Sequence, residues 1–101
     1  MPYIKKDQRD GLDYWIPVLL KTLLEENGTH PGGLNYVISK LLHGYIEHDG
    51  LSYANINKVM GVLDCASKEF YRTVAGPYES KQRIKNGPIS GLDAKSLEDV
   101  R

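Results

Sequence analysis

Between Leu34 and Ile46 the apolar residues are Leu34, Val37, Ile38, Leu41, Leu42, Tyr45 and Ile46, an i, i+3, i+4, i+7 recurrence without a miss. A half-buried strand would need a period of two, so this stretch buries one face only as a helix. Tyr36, Ser39, Lys40, His43 and Glu47 fall on its other side, and Asp49-Gly50 ends it. Ser52 is placed to cap a third helix, in which Ile56, Val59, Met60, Leu63, Ala66, Phe70 and Val74 form a second stripe. Upstream, Ile16, Leu19, Leu20, Leu23 and Leu24 recur at helical spacing. That first helix is expected to begin around Leu12 or Asp13, with Asp13 as its N-cap and Pro17 in or just past the first turn. Asn27-Gly28 stops it, and Thr29-His30-Pro31-Gly32-Gly33 reads as a loop. The fold expected is all-α: three main helices, the third long and kinked, with a C-terminal extension, in an oligomeric bundle.

A helix from Tyr53 to Ala75 spans roughly 35 Å, against a radius of gyration of about 13 Å for a compact chain of this size. Gly76-Pro77 is expected to kink or break it, with one or two further turns from Tyr78 to Lys85 before Asn86-Gly87. That extension has no obvious packing partner in its own chain. Residues 1–87 therefore read as one helical domain and 88–101 as a tail. In the tail a loop precedes a weak helix from Asp93 to Val100, with a partner subunit as the candidate surface for docking.

Composition narrows the function classes. Formal net charge is zero, which gives no whole-molecule attraction to nucleic acid or anionic membrane. The single cysteine, Cys65, excludes an internal disulfide or a multi-cysteine metal site. No apolar run approaches the length of a membrane span, and Met-Pro-Tyr-Ile-Lys-Lys lacks the apolar stretch of a secretory leader. A cytoplasmic protein without membrane or nucleic-acid partners is the expectation.

Three features carry whatever chemistry is legible. On the third helix Asn57, Gly61, Asp64, Lys68 and Tyr71 share a face, with Arg72 beside them. Gly61 in mid-helix costs about 1 kcal/mol relative to alanine, so a neighbouring helix, a second subunit or a ligand is expected to approach it. Seven tyrosines stand against one Phe and one Trp. They suit interfaces and pockets that stack planar ligands, or simply the rim of a small core. Asn35, Asn55, Asn57 and Arg72 add groups that read base edges or hold phosphate, although asparagine at helix ends is also ordinary capping. His43 and Glu47 lack a third ligand, so no metal or other cofactor is expected. No phosphate loop, dinucleotide glycine pattern or serine elbow is present. Gly32-Gly33 precede a helix N-terminus, where an anion could meet free N–H groups, or form a plain loop.

The segments MPYIKK, GGLNYVISKLLHGYI, GLSYANINKVMGVLDC and EFYRTVAGPYE together resemble an uncharacterised family of short helical proteins found in phages, bacteria and archaea. The resemblance covers roughly residues 1–87 and implies a compact helical protein of phage or prophage origin. The family has no established activity, so no catalytic residue carries over. By analogy alone, small helical phage proteins that sequester nucleotide immune signals are similar in size and in tyrosine, asparagine and arginine content.

The functional expectation is a non-enzymatic homo-oligomer that sequesters a small anionic, nucleotide-like ligand, as a phage anti-defence protein would. Tyr36, Tyr53 and Tyr71 would stack a base, Asn35 and Asn57 would read polar edges, and Lys68 or Arg72 would hold phosphate. The alternative is a protein-interaction adaptor without a small-molecule ligand. A hydrolase of the same ligands would need His43 or Glu47 in a cleft.

Overall fold

The computed structural model describes residues 4–98. The fold is all-α, and no strand occurs among the described residues. A short 3-10 turn, Lys6–Gln8, precedes α1 (Asp10–Asn27), α2 (Pro31–Asp49) and α3 (Tyr53–Phe70). A π-helical turn at Tyr71–Ala75 leads into α4 (Gly76–Asn86), and α5 (Gly91–Leu97) follows. Contacts group the chain into two units, Met1–Gly61 and Val62–Arg101. Tyr3 and the far end of the expected tail helix at Val100 lie outside the described residues.

In the first unit two helices begin earlier than their capping residues suggest. α1 starts at Asp10, and the backbone N–H of Asp13 already donates to the Arg9 carbonyl at 2.7 Å. Asp13 is thus inside the first turn, where its charge and that of Asp10 favour the helix dipole. Pro17 consequently lies two turns into α1 and leaves the Asp13 carbonyl without its intrahelical donor. α2 starts at Pro31, so Gly32 and Gly33 belong to its first turn and not to a loop. Proline at the first helical position is pre-set for the turn. The His30 ring completes the cap, its Nδ1 accepting from the Gly32 N–H at 2.9 Å.

Gly33 is buried and marks where α1 and α2 touch: a Cβ there would stand 2.9 Å from Asn27 Cβ and 3.0 Å from Leu23 Cδ1. The α2–α3 corner is clamped by polar contacts. Ser52 Oγ accepts from the Asn55 N–H, as expected of the cap, at 3.1 Å. The Asn55 amide donates to the carbonyls of Asp49 and Gly50, and Lys58 pairs with Asp49 at 3.1 Å. Hydrogen bonds from His48 and then Lys58, with the Lys58 charge, hold the Asp49 carboxyl below its ordinary range.

In the second unit the chain passes Gly76-Pro77 without leaving the helical state. A proline inside an α-helix removes an amide donor and drives its ring into the carbonyl four residues back, here Thr73. One extra residue in the preceding turn relieves that clash: the Gly76 N–H donates to the Tyr71 carbonyl, five residues back. The residue before proline is normally pushed out of the α region by its own Cβ. Gly76 has none and sits at φ −60°, ψ −52°.

The tail returns to α4 of its own chain. Ser90 caps α5 by accepting from the Asp93 N–H at 3.0 Å. The Arg83 guanidinium pairs with the Asp93 carboxylate and also donates to Ser96 Oγ at 2.9 Å, while the Ile89 N–H donates to the other Asp93 oxygen. Leu97 is fully buried. The Ile89 hydrogen bond, then Arg83, hold the Asp93 carboxyl below the 3.8 of a free aspartate. Its contribution to α5 docking is therefore complete above that value and lost as pH falls through the depressed one. Leu97 methyl shifts followed by NMR should stay constant from about pH 7 to about pH 5 and move toward solvent-exposed values only below the free-aspartate range. Loss of the docked shifts already near neutrality would show that this ion pair does not hold α5.

Candidate functional site

Two concavities involve tyrosines and a cation singled out by the sequence. The first lies between α1 and α2, has a volume of about 580 Å³, and includes Leu19, Leu23, His30, Gly33, Tyr36 and Val37 in its lining. Tyr36 is its aromatic wall, with Lys40 Nζ 6.0 Å from the ring centre. The N–H of Gly32, which could have met an anion, is already taken by His30. This cleft is largely apolar, with Glu26 and His30 in its lining.

The second is a groove of about 650 Å³ along the π turn and α4, lined by Tyr71, Arg72, Gly76, Pro77, Glu79, Ser80, Lys81, Arg83 and Ile84. Three cations and one carboxylate line it, and two of the cations carry carboxylate partners outside the lining, Arg72 with Glu69 and Arg83 with Asp93. The π turn sets the geometry. Adding one residue to the helix rotates everything before it by about a quarter turn or more relative to everything after it. Tyr71 O–H then reaches forward to donate to Glu79 at 3.2 Å. Gly76 leaves room for that ring, since a Cβ there would lie 3.5 Å from Tyr71 Cε1 and 3.1 Å from the Tyr71 carbonyl oxygen.

The remaining predicted residues distribute differently. Lys68 is bound to Asp64 at 2.9 Å, and the hydrogen bond and charge of that carboxylate raise the Lys68 pKa. Arg72 is held by Glu69 at 2.7 Å, so an anion in the groove would have to share or displace that carboxylate. Asn35, Tyr53 and Asn57 are exposed and line neither concavity. Tyr71 and Arg72 are thus brought together, and Tyr36 belongs to the other unit's cleft. Glu79, Lys81 and Arg83 complete the groove. In sequence Lys81 and Arg83 are simply cations near a helix C-terminus, because the phase shift that aligns them with Tyr71 comes from the π turn.

Among the described residues, no group of three or more His, Cys, Asp or Glu could hold a metal ion. No helix among them is long and apolar enough to cross a membrane. Cys65 is free and exposed. No curated protein and no solved structure matches the chain. A family does match it, over residues 1–89 and hence most of its length: the chain belongs to the family described as Domain of unknown function (DUF6899).

Proposed function

We propose that this protein is a non-enzymatic helical homo-oligomer that binds and sequesters a small anionic, nucleotide-like ligand in the groove along the π turn. The observation that carries the reading is the alignment of Tyr71, an aromatic face, with Arg72, Lys81 and Arg83 on one surface of about 650 Å³. A planar base stacks on tyrosine, and guanidinium and ammonium groups hold phosphate oxygens. π turns inside α-helices are frequent at functional sites. The ligand classes that fit are cyclic nucleotides and ADP-ribose derivatives, as an anti-defence protein of a phage would capture them. In this reading the ligand is returned intact, since the groove's Glu79 is engaged by Tyr71 and no His lies beside it.

The test is native mass spectrometry of gently purified protein, with thermal shifts against cyclic dinucleotides, linear dinucleotides and ADP-ribose. Retained mass of roughly a few hundred daltons, or stabilisation near 2.7 kcal/mol at 100-fold saturation, is expected, and Lys81→Ala and Arg72→Ala should each weaken it. Bare protein with no shift from any of these probes would remove the reading. A second reading, an adaptor that docks another protein, is favoured by one observation: large apolar side chains such as Trp15, Leu41 and Tyr45 are exposed.

A further inference from the structure

Arg83 serves the groove and the tail at once. It lines the groove with Tyr71, Arg72 and Lys81, and its Nη2 is the atom on which α5 is anchored. Asp93 Oδ1 accepts from that nitrogen, and so does Ser96 Oγ at 2.9 Å. A ligand entering the groove therefore meets this guanidinium already paired. With α5 docked, Arg72, Lys81 and Arg83 stand against Glu79 in the lining and against Glu69 and Asp93 outside it. Three charges of each sign leave little net attraction for an anion. Glu69 and Glu79 cannot depart, because they belong to the continuous helical run that forms the groove. Asp93 can, because it sits on a separate helix joined to α4 only through residues 87–90.

α5 is also lightly held. It has seven residues, and helices shorter than about 12 residues are marginal on their own. Leu97 is fully buried, but Leu92 is 81% exposed and Ile89, just before the helix, 95%. One apolar side chain and the polar contacts at Arg83 thus seat it, which places α5 among the elements that open most readily. We propose that α5 is a built-in competitor for the groove: the Asp93 carboxylate occupies Arg83 in place of a ligand phosphate, and phosphate binding there releases the helix. Carboxylate and phosphate are alternative partners of a guanidinium, and the phosphate carries the larger charge. Exchange therefore leaves Arg83 satisfied and frees Asp93 to water. The short tether keeps a released α5 close enough to redock when the ligand leaves. The two equilibria are reciprocal: the docked helix weakens the ligand by the same factor as the ligand weakens docking.

This inference rests on the ligand reading above and adds the regulation of the same site. The test measures the affinity of the full chain for ADP-ribose and cyclic di-AMP by calorimetry, beside Asp93→Asn and Leu97→Ser. Leu97 methyl shifts are followed by NMR in the natural chain. Asp93→Asn removes the competing charge, whereas Leu97→Ser loosens α5 at its apolar anchor and leaves every charge in place. Both variants are expected to bind about fivefold tighter or more, the lower range of coupling between linked sites. Saturating the natural chain should carry the Leu97 methyls to solvent-exposed shifts. Binding by the variants alone supports the same conclusion, with the docked helix closing the groove at the concentrations used. Equal affinity of all three chains, or Leu97 unmoved at saturation, would overturn the competition and leave the ligand reading standing. Weaker binding by Asp93→Asn would overturn it too, since α5 would then be holding Arg83 in place for the ligand. No binding of either probe by any of the three would remove the ligand reading, and this inference with it.

Discussion

Replacing Gly33 with alanine is expected to lower the melting midpoint by several degrees, although alanine is the better helix former. In open helical positions Gly→Ala gains about 0.5–1 kcal/mol. At Gly33 the new methyl would stand 2.9 Å from Asn27 Cβ and 3.0 Å from Leu23 Cδ1. The leucine end can rotate away. Asn27 Cβ belongs to the last residue of α1 and cannot rotate away, so α1 and α2 must separate where Gly33 joins them. Overpacking of this kind costs about 1–3 kcal/mol, or about 4–8 °C per kcal/mol in a domain of this size. Gly33→Val should do more. Gly11→Ala is the control, because a Cβ there meets nothing within 4 Å and its midpoint should not fall. Equal midpoints for the Gly11 and Gly33 variants would mean that the α1–α2 contact contributes nothing.

Pro77→Ala is expected to act in the opposite direction on stability and to erase the groove. The π turn exists because the proline ring cannot meet the Thr73 carbonyl at α-helical distance. With alanine, the residue 77 amide regains a donor and the extra residue loses its cause. α-Helical bonding should then run unbroken from α3 into α4, for a gain of about 1–3 kcal/mol, bounded by the proline penalty in a helix interior. Restoring the regular period re-phases Tyr71 and Arg72 relative to Lys81 and Arg83, so Tyr71 O–H should release Glu79. Binding to any nucleotide probe that the natural chain takes up should fall sharply in the more stable variant. The measurement pairs a melt with backbone NMR of residues 70–78. Persistence of the Gly76-to-Tyr71 hydrogen bond in the alanine variant would show that Pro77 is not what widens the turn.

How far the sequence reached can be judged helix by helix. The α2 stripe was legible because seven residues obey one period, and Ser52 and the glycines after α1, α2 and α4 announced themselves by type. Gly28, Gly50 and Gly87 hold φ of 60°, 103° and 90°, angles that a side chain resists. The starts of α1 and α2 were set too late. In α1 a favourable acid inside the first turn looks the same in sequence as a capping acid. In α2 the cap is an imidazole, a residue outside the usual set. Gly76-Pro77 read as a kink or a break because a one-residue widening leaves no trace in the apolar pattern. Along α3 and into the π turn, Asp64 and Glu69 stand at i−4 and i−3 from Lys68 and Arg72, so both ion pairs were visible as spacings. The Arg83–Asp93 clamp was not, since it closes across a loop and depends on where α5 returns.

The π turn also bears on how this chain tolerates change in length. A helix is read in a frame, and the loss of one residue rotates every later side chain by about 100° relative to every earlier one. Within Tyr53–Phe70 such a deletion would turn the apolar stripe against itself. Within Tyr71–Ala75 the frame already holds one surplus residue, so a single deletion there returns the backbone to an unbroken helix and leaves both flanking stripes internally intact. The segment is a slack link, where insertion and deletion alter the facing of the groove while sparing the helices that carry it.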